Sequence, residues 1–345
     1  MSEHNSPDRV VLITAPLEAG WLERLRCISP DLRVEWIPHG TGVISDELWQ
    51  NAEILYTSFA TRLPPPEMAP RLRWAQLYSA GADRVVDTAL YRSPVVFTSA
   101  SGVHAINIAE QVLSMTLAWF RHVPLILDQQ RQHRWPANAG ERARLYMAEE
   151  LWGKTIGIVG YGSIGRQVAA LARAFGMRVL AMQRGEDHRD RGFLFPGVGD
   201  PEGLLPERYF APEQLHAMLR ECDVVVIALP LTTRTRGLFN AAAFQAMPST
   251  AFLVNIARGE ICDEAALLHA LETQQIAGAA LDVFREEPLP PHHPFWQLPN
   301  IFITPHSAGL TPRYNERAAM IFEENLRCFL AGRPLYNVVD KTLEY

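Results

Sequence analysis

The run Thr155-Ile-Gly-Ile-Val159-Gly160-Tyr161-Gly162-Ser163-Ile164-Gly165, continued by an amphipathic stretch to Phe175, decides how this chain is read. A five-residue β-rich run makes a strand, a helix follows it, and three glycines fill the turn between them. Each glycine has its own physical reason. Gly160 allows the tight turn, Gly162 lets the backbone approach a pyrophosphate, and Gly165 lets helix and strand pack closely. The helix N-terminus then offers unpaired N–H groups and its positive dipole end to the anion. Alone the triplet is only a tight turn; between a strand and a helix it predicts a dinucleotide site. Gly176 is expected to end the helix in the left-handed conformation.

Outward from this unit the alternation continues. Strands are expected at 178–182, 223–228, 251–255, 278–282 and 301–304, with helices between most of them and Asp263 capping a helix over 264–272. The first hundred residues carry a similar pattern, with strands at 10–14, 33–37, 53–57, 74–78 and 95–98 and helices at 17–27 and 46–51. Short apolar strands alternating with helices predict parallel sheets covered on both faces. Pro64-Pro65-Pro66 reads as a loop. A long helical segment runs from Ile106 to near Gln132, broken or kinked near Pro124, and a polar stretch over 137–144 follows. The last helix is expected to be capped by Thr311, with Pro312 at its first position and Gly332 after its last turn. Residues 185–209, rich in Gly, Pro and charge, read as a long surface loop.

A length of 345 residues fits two domains, and 48% apolar with 20% charged residues is globular composition. The net charge of −6, from 32 Lys and Arg against 38 Asp and Glu, argues against a nucleic-acid surface. It leaves room for a small anion held by a few placed arginines. Cys27, Cys222, Cys262 and Cys328 lie far apart, so neither a disulfide framework nor a zinc cluster follows, and a reducing compartment is expected. The apolar run 10–13 is too short for a signal-peptide core, and the stretch 106–120 contains Asn107, Glu110 and Gln111. The expectation is a soluble, cytoplasmic protein with no membrane or nucleic-acid partner and no bound metal.

Four further positions carry chemistry. An NAD site needs an acid after the second strand to hold the ribose hydroxyls. This chain has Gln183-Arg184-Gly185 there, which tolerates or attracts a 2′-phosphate, and Arg189 and Arg191 follow in the loop. NADP is therefore favoured over NAD. Three later strands lead to Arg258, Glu287 and His306. In a parallel sheet all C-terminal strand ends share one edge with the glycine loop, and ligands bind in the crevice outside it. Arginine grips a carboxylate in a two-pronged hydrogen bond. Histidine gives or takes the proton that accompanies hydride transfer, and a carboxylate beside it favours the imidazolium. Taken singly, each residue is better explained by a surface ion pair, a turn cap or an exposed histidine. Convergence on one edge reverses that reading.

From about Trp74 to the C-terminus the chain resembles the D-isomer-specific 2-hydroxyacid dehydrogenases, most densely over 151–176, 223–238, 255–290 and 303–309, and again in Asn337-Val-Val-Asp-Lys341. The resemblance implies that the Arg, Glu and His of that family fall on Arg258, Glu287 (rather than Glu286) and His306. It places the substrate carboxylate on Arg258 and on the backbone of Gly81 and Ala82 in Ser79-Ala-Gly-Ala-Asp83. The cofactor is expected against Gly160, Gly162, Ser163, Ile164, Gly165, Gln183 and Arg184, against Leu229, Pro230 and Thr232, and against Ile256, Ala257, Asp282 and His306. Many relatives have Asn where this chain has His104. The implied fold is α/β with two doubly wound parallel-sheet domains. A Rossmann cofactor domain (104–307) is inserted into a flavodoxin-like substrate domain (1–103 and 308–345). A homodimer is implied, paired through the long helix after Asn107 and the arm that follows. The activity implied is reduction of a small 2-oxo acid of the hydroxypyruvate or glyoxylate type. The alternatives are a phosphoglycerate dehydrogenase and a non-catalytic, dinucleotide-sensing corepressor-like protein.

Overall fold

The computed structural model describes residues 9–38 and 43–343. The described strands form two all-parallel sheets. The first contains β1 (Arg9–Ile13), β2 (Leu32–Trp36), β3 (Ala52–Thr57), β4 (Trp74–Leu77) and β5 (Val96–Thr98), in the order β2-β1-β3-β4-β5. This is the flavodoxin-like order. Central residues such as Val11, Leu12, Ile54 and Leu55 are fully buried, because helices cover both faces of a parallel sheet. Helix Tyr314–Leu330 returns to this sheet, stacking Phe322 on Tyr56 with ring centroids 4.4 Å apart.

The second sheet contains β6 (Thr155–Val159), β7 (Arg178–Met182), β8 (Arg208–Phe210), β9 (Val224–Ile227), β10 (Phe252–Asn255), β11 (Gly278–Leu281) and β12 (Ile301–Ile303). Their order is β12-β11-β10-β9-β6-β7-β8, the Rossmann order extended by an edge strand. The winding reverses between β6 and β9, and that switch point is where the glycine turn opens. One face is covered by helices Ala105–Phe120 and Ser163–Ala174, through Ile108, Val112, Val168 and Ala169. The chain divides into two compact units. One comprises the described residues to His104, Arg191–Phe193 and those from Thr311; the other comprises Ala105–Asp190 and Leu194–Leu310.

Several local expectations are corrected. The stretch 137–144 contains a helix, Ala139–Tyr146, capped by Asn138, whose Oδ1 accepts the Glu141 amide at 2.9 Å. It buries no residue, so it carries no apolar periodicity to read. The break expected near Pro124 is present: the first helix ends at Phe120, His122 has a left-handed φ of 54°, and the chain resumes as helix Val123–Arg131 with Pro124 in its first turn. Pro66 opens a single 3-10 turn, Pro66–Met68. Helix Tyr314–Leu330 starts later than its Thr-Pro signal. Thr311 Oγ1 accepts the Arg313 amide at 3.2 Å, so Thr311 and Pro312 form a turn ahead of the helix. Residues 185–209 are not simply a surface loop. The segment ends in edge strand β8 and is anchored to the interior through Arg166 and Asp200, both buried.

Candidate active site

The glycine turn meets the steric demands of a phosphate cradle. Gly160 has φ of 105°, and a Cβ there would lie 2.6 Å from the Ala228 carbonyl at the end of β9. A Cβ on Gly165 would lie 2.4 Å from the Gly160 carbonyl. At Gly162 nothing lies within 4 Å, so the backbone is open to a ligand where the other two glycines close the turn. Gly162 is also the N-cap of helix Ser163–Ala174, and no side chain caps it. The N–H groups of Ser163 and Ile164 belong to that first turn, where an anion is stabilised. Gln183, at the end of β7, donates its amide to Phe210 O at 3.1 Å. Its Oε1 is buried with no hydrogen-bond donor among the described residues, and a ribose hydroxyl is a donor of the right kind. These residues fit a dinucleotide. Arg184 is exposed, but Arg189 is engaged by Asp187 at 3.1 and 3.3 Å, so it is not the spare cation expected for a 2′-phosphate.

Glu287 and His306 form a hydrogen-bonded pair. His306 Nδ1 lies 2.7 Å from Glu287 Oε2, and Glu287 Oε1 accepts the Phe284 amide at 3.0 Å. A carboxylate can only accept, so Nδ1 carries its proton and Nε2 becomes the position for proton exchange. His306 has a left-handed φ of 51°, a conformation that costs about 1–3 kcal/mol and needs support. Asp282 provides it. The carboxylate is 2% exposed, and it accepts from Thr304 Oγ1 at 2.5 Å, Ser307 N at 2.9 Å and Ala308 N at 3.0 Å. The His306 amide donates to Asp282 O at 2.9 Å. Asp282 therefore holds the histidine turn from below.

Arg258 follows β10, the neighbour of β11. Asn255 shapes its turn: Oδ1 accepts the Ala257 amide at 3.1 Å and Nδ2 donates to Arg258 O at 3.1 Å. Ile256 and Ala257 are nearly buried within that turn. Gly259 packs so tightly that a Cβ would lie 2.0 Å from Phe284 C, which sets the Arg258 loop directly against the loop carrying Glu287. Burial pushes the Cys262 thiol up to about 12, so it stays neutral and is no nucleophile. In the loop after β9, Leu229 N lies 3.0 Å from a Cβ built on Gly160, and Thr235 Oγ1 ties Pro230 O at 2.7 Å to Thr232 N at 2.8 Å.

The structure thus gathers the glycine turn, Leu229, Arg258, Asp282, Glu287 and His306 on one edge of one sheet, with Glu287 and His306 bonded to each other. Gly81 and Ala82 belong to the first unit, in the loop after β4, where Ser79 Oγ donates to Gly81 O at 2.7 Å. Asn255, Gly259 and Thr304 were missed by the sequence reading. The only signal for them was their position beside a strand end. Among the described residues, no group of three His, Cys, Asp or Glu is placed to hold a metal ion.

Fold and site together fit a dinucleotide-dependent oxidoreductase. The profile of the D-isomer specific 2-hydroxyacid dehydrogenase NAD-binding domain matches residues 113–308, and the chain belongs to that family. It is 36% identical over 295 residues to a glyoxylate reductase of Aeropyrum pernix, covering 85% of this chain and 84% of that one. The structure of a D-isomer specific 2-hydroxyacid dehydrogenase family protein from Aeromonas salmonicida is similar with a TM-score of 0.76 at 31% identity, covering 97% and 99% of the two chains. An NADPH-dependent glyoxylate/hydroxypyruvate reductase from Sinorhizobium meliloti, solved with NADP and sulfate, gives a TM-score of 0.72 at 26% identity, covering 98% and 100%.

Proposed function

We propose that this chain reduces a small 2-oxo acid, of the glyoxylate or hydroxypyruvate type, to the D-2-hydroxy acid using NADPH or NADH. The observation that carries the reading is the His306–Glu287 hydrogen bond of 2.7 Å on the edge where the glycine turn opens. A bound nicotinamide supplies the hydride. His306 donates the proton to the substrate oxygen from Nε2 and withdraws it in the reverse direction. Glu287 fixes the imidazole orientation, while Asp282 keeps the backbone turn in place. Arg258 pairs with the substrate carboxylate. The first unit serves as the substrate domain and the second as the cofactor domain. Gln183 and Arg184, in place of a carboxylate, support NADPH over NADH.

A homodimer is supported by the arm after helix Ala105–Phe120. Trp135 is 86% exposed, Trp152 78% and Met147 74%, large apolar side chains of the kind an interface covers. Sedimentation velocity is expected to show a dimer, with Trp135→Glu shifting it toward monomer; a wild-type monomer refutes this. No helix among the described residues is long and apolar enough to cross a membrane. All four cysteines are free thiols, which supports a reducing compartment such as the cytoplasm.

The test is a panel of glyoxylate, hydroxypyruvate, pyruvate, bulkier 2-oxo acids and phosphohydroxypyruvate with NADPH and NADH in parallel. Turnover of glyoxylate and hydroxypyruvate supports the reading. A preference for the phosphorylated acid makes it a phosphoglycerate dehydrogenase, and cofactor binding without any turnover makes it a dinucleotide sensor.

A further inference from the structure

Arg166 stands one residue beyond Gly165 in helix Ser163–Ala174 and is only 2% exposed. A buried guanidinium is costly unless its donors are used. Here they are aimed at the segment that joins β7 to β8. Nη1 donates to Asp200 O at 2.7 Å, Nη2 donates to His188 O at 2.7 Å, and Nε lies 3.3 Å from the Asp190 carboxylate. Tyr161, from within the glycine turn, lies beneath the guanidinium at 4.8 Å and donates its hydroxyl to Asp200 Oδ2 at 2.7 Å. His188 stacks on Tyr209 with centroids 3.5 Å apart. The segment is therefore folded against the same helix turn that opens the phosphate cradle.

This geometry has a consequence for Arg184. The chain is pinned on one side by Gln183 N on Phe210 O, and on the other by His188 O and Asp190 on Arg166. Arg184 lies within that short span. The clamp also pairs Asp190 with a cation, Arg166 Nε lying 3.3 Å from its carboxylate. We propose that Arg166 is a positioning residue for cofactor discrimination. It fixes the turn that carries Arg184 against the phosphate cradle, so the choice between a ribose 2′-hydroxyl and a 2′-phosphate depends on a buried residue that touches neither.

The inference rests on the dehydrogenase reading, and direct binding separates the two. Dissociation constants for NADPH and NADH are measured by nucleotide fluorescence in wild type, Arg166→Met and Arg166→Lys, with circular dichroism as the check on folding. Arg166→Met is expected to lower the NADPH-to-NADH affinity ratio by about tenfold, equivalent to one lost charge-assisted contact. kcat at saturating cofactor is expected to stay within about twofold of wild type, since the reacting groups are untouched. Arg166→Lys keeps the charge but not the fork, and falls between the two. The double variant Arg166→Met/Asp190→Asn removes the Asp190 charge together with its partner and serves where the single variant does not fold. An unchanged ratio in a folded variant overturns the inference alone. Failure of the wild type to bind either nucleotide overturns the dehydrogenase reading and the inference with it.

Discussion

Replacing Glu287 by glutamine exchanges one oxygen for an amide nitrogen at nearly constant volume, and so isolates what the charge does. In the native pair Oε1 accepts the Phe284 amide at 3.0 Å and Oε2 faces His306 Nδ1 at 2.7 Å. Glutamine has one acceptor. If its oxygen stays on Phe284, the –NH2 group faces Nδ1, and the histidine must move its proton to Nε2. That tautomer is no base for alcohol oxidation, and without the carboxylate it is a weak acid for carbonyl reduction. A charge-assisted hydrogen bond is worth about 1.5–3 kcal/mol. With the Glu287 and His306 side chains 36% and 50% exposed, solvent screening puts this one near the lower figure. The expected loss in kcat is about tenfold from the bond alone, rising toward about a hundredfold with the wrong tautomer. Steady-state rates in both directions at saturating cofactor measure it, alongside the dissociation constant for NADPH, which is expected not to change. A kcat within about twofold of wild type would refute the reasoning and leave Glu287 as a brace for the Phe284 loop.

Gly162→Ala and Gly165→Ala should separate binding from folding. The first has open space for its Cβ and an ordinary φ of −90°, so its melting temperature holds while KM for the cofactor rises; the second meets the Gly160 carbonyl at 2.4 Å and lowers stability by about 2 kcal/mol or more. Equal melting temperatures for the pair would contradict the packing argument. Asp282→Ala leaves Ser307 N, Ala308 N and Thr304 Oγ1 without their acceptor, and urea unfolding should show a loss of about 2–4 kcal/mol together with reduced kcat. Glu323 reports acid stability. Burial opposes its charged form, but Arg24 at 2.7 Å and Arg327 at 2.8 Å outweigh burial and hold its pKa below the ordinary carboxylate range. Its contribution is present above that range and is lost as the pH falls through the lowered folded-state value. Glu323→Gln should therefore be less stable than wild type at pH 7 and converge with it in acid; a constant difference at all pH values would count against this.

The sheets were legible because buried parallel strands are continuous apolar runs: 155–159 and 178–182 match the observed β6 and β7 residue for residue. That Arg258, Glu287 and His306 follow strands ending on one edge was legible because parallel topology brings strand ends together without any knowledge of loop geometry. What escaped is set by contacts distant in sequence. Helix Ala139–Tyr146 buries nothing and so has no periodicity. Gly259 is required by the backbone of Phe284, and Thr304 by the oxygens of Asp282. The segment 185–209 looked like a loop because its order comes from Arg166, a residue in a different element whose burial could not be seen in a charged side chain. Asp282 was read as a cofactor contact, and its visible work is to hold the turn of His306.

The most direct test of the acid–base assignment is the rate of NADPH oxidation with glyoxylate and hydroxypyruvate by wild type and His306→Ala, with NADPH binding measured on both proteins. The account predicts turnover by the wild type, a loss of about 100- to 10,000-fold in kcat for the variant, and unchanged nucleotide affinity. Near-wild-type turnover by His306→Ala, or no turnover of either acid by the wild type, would contradict it.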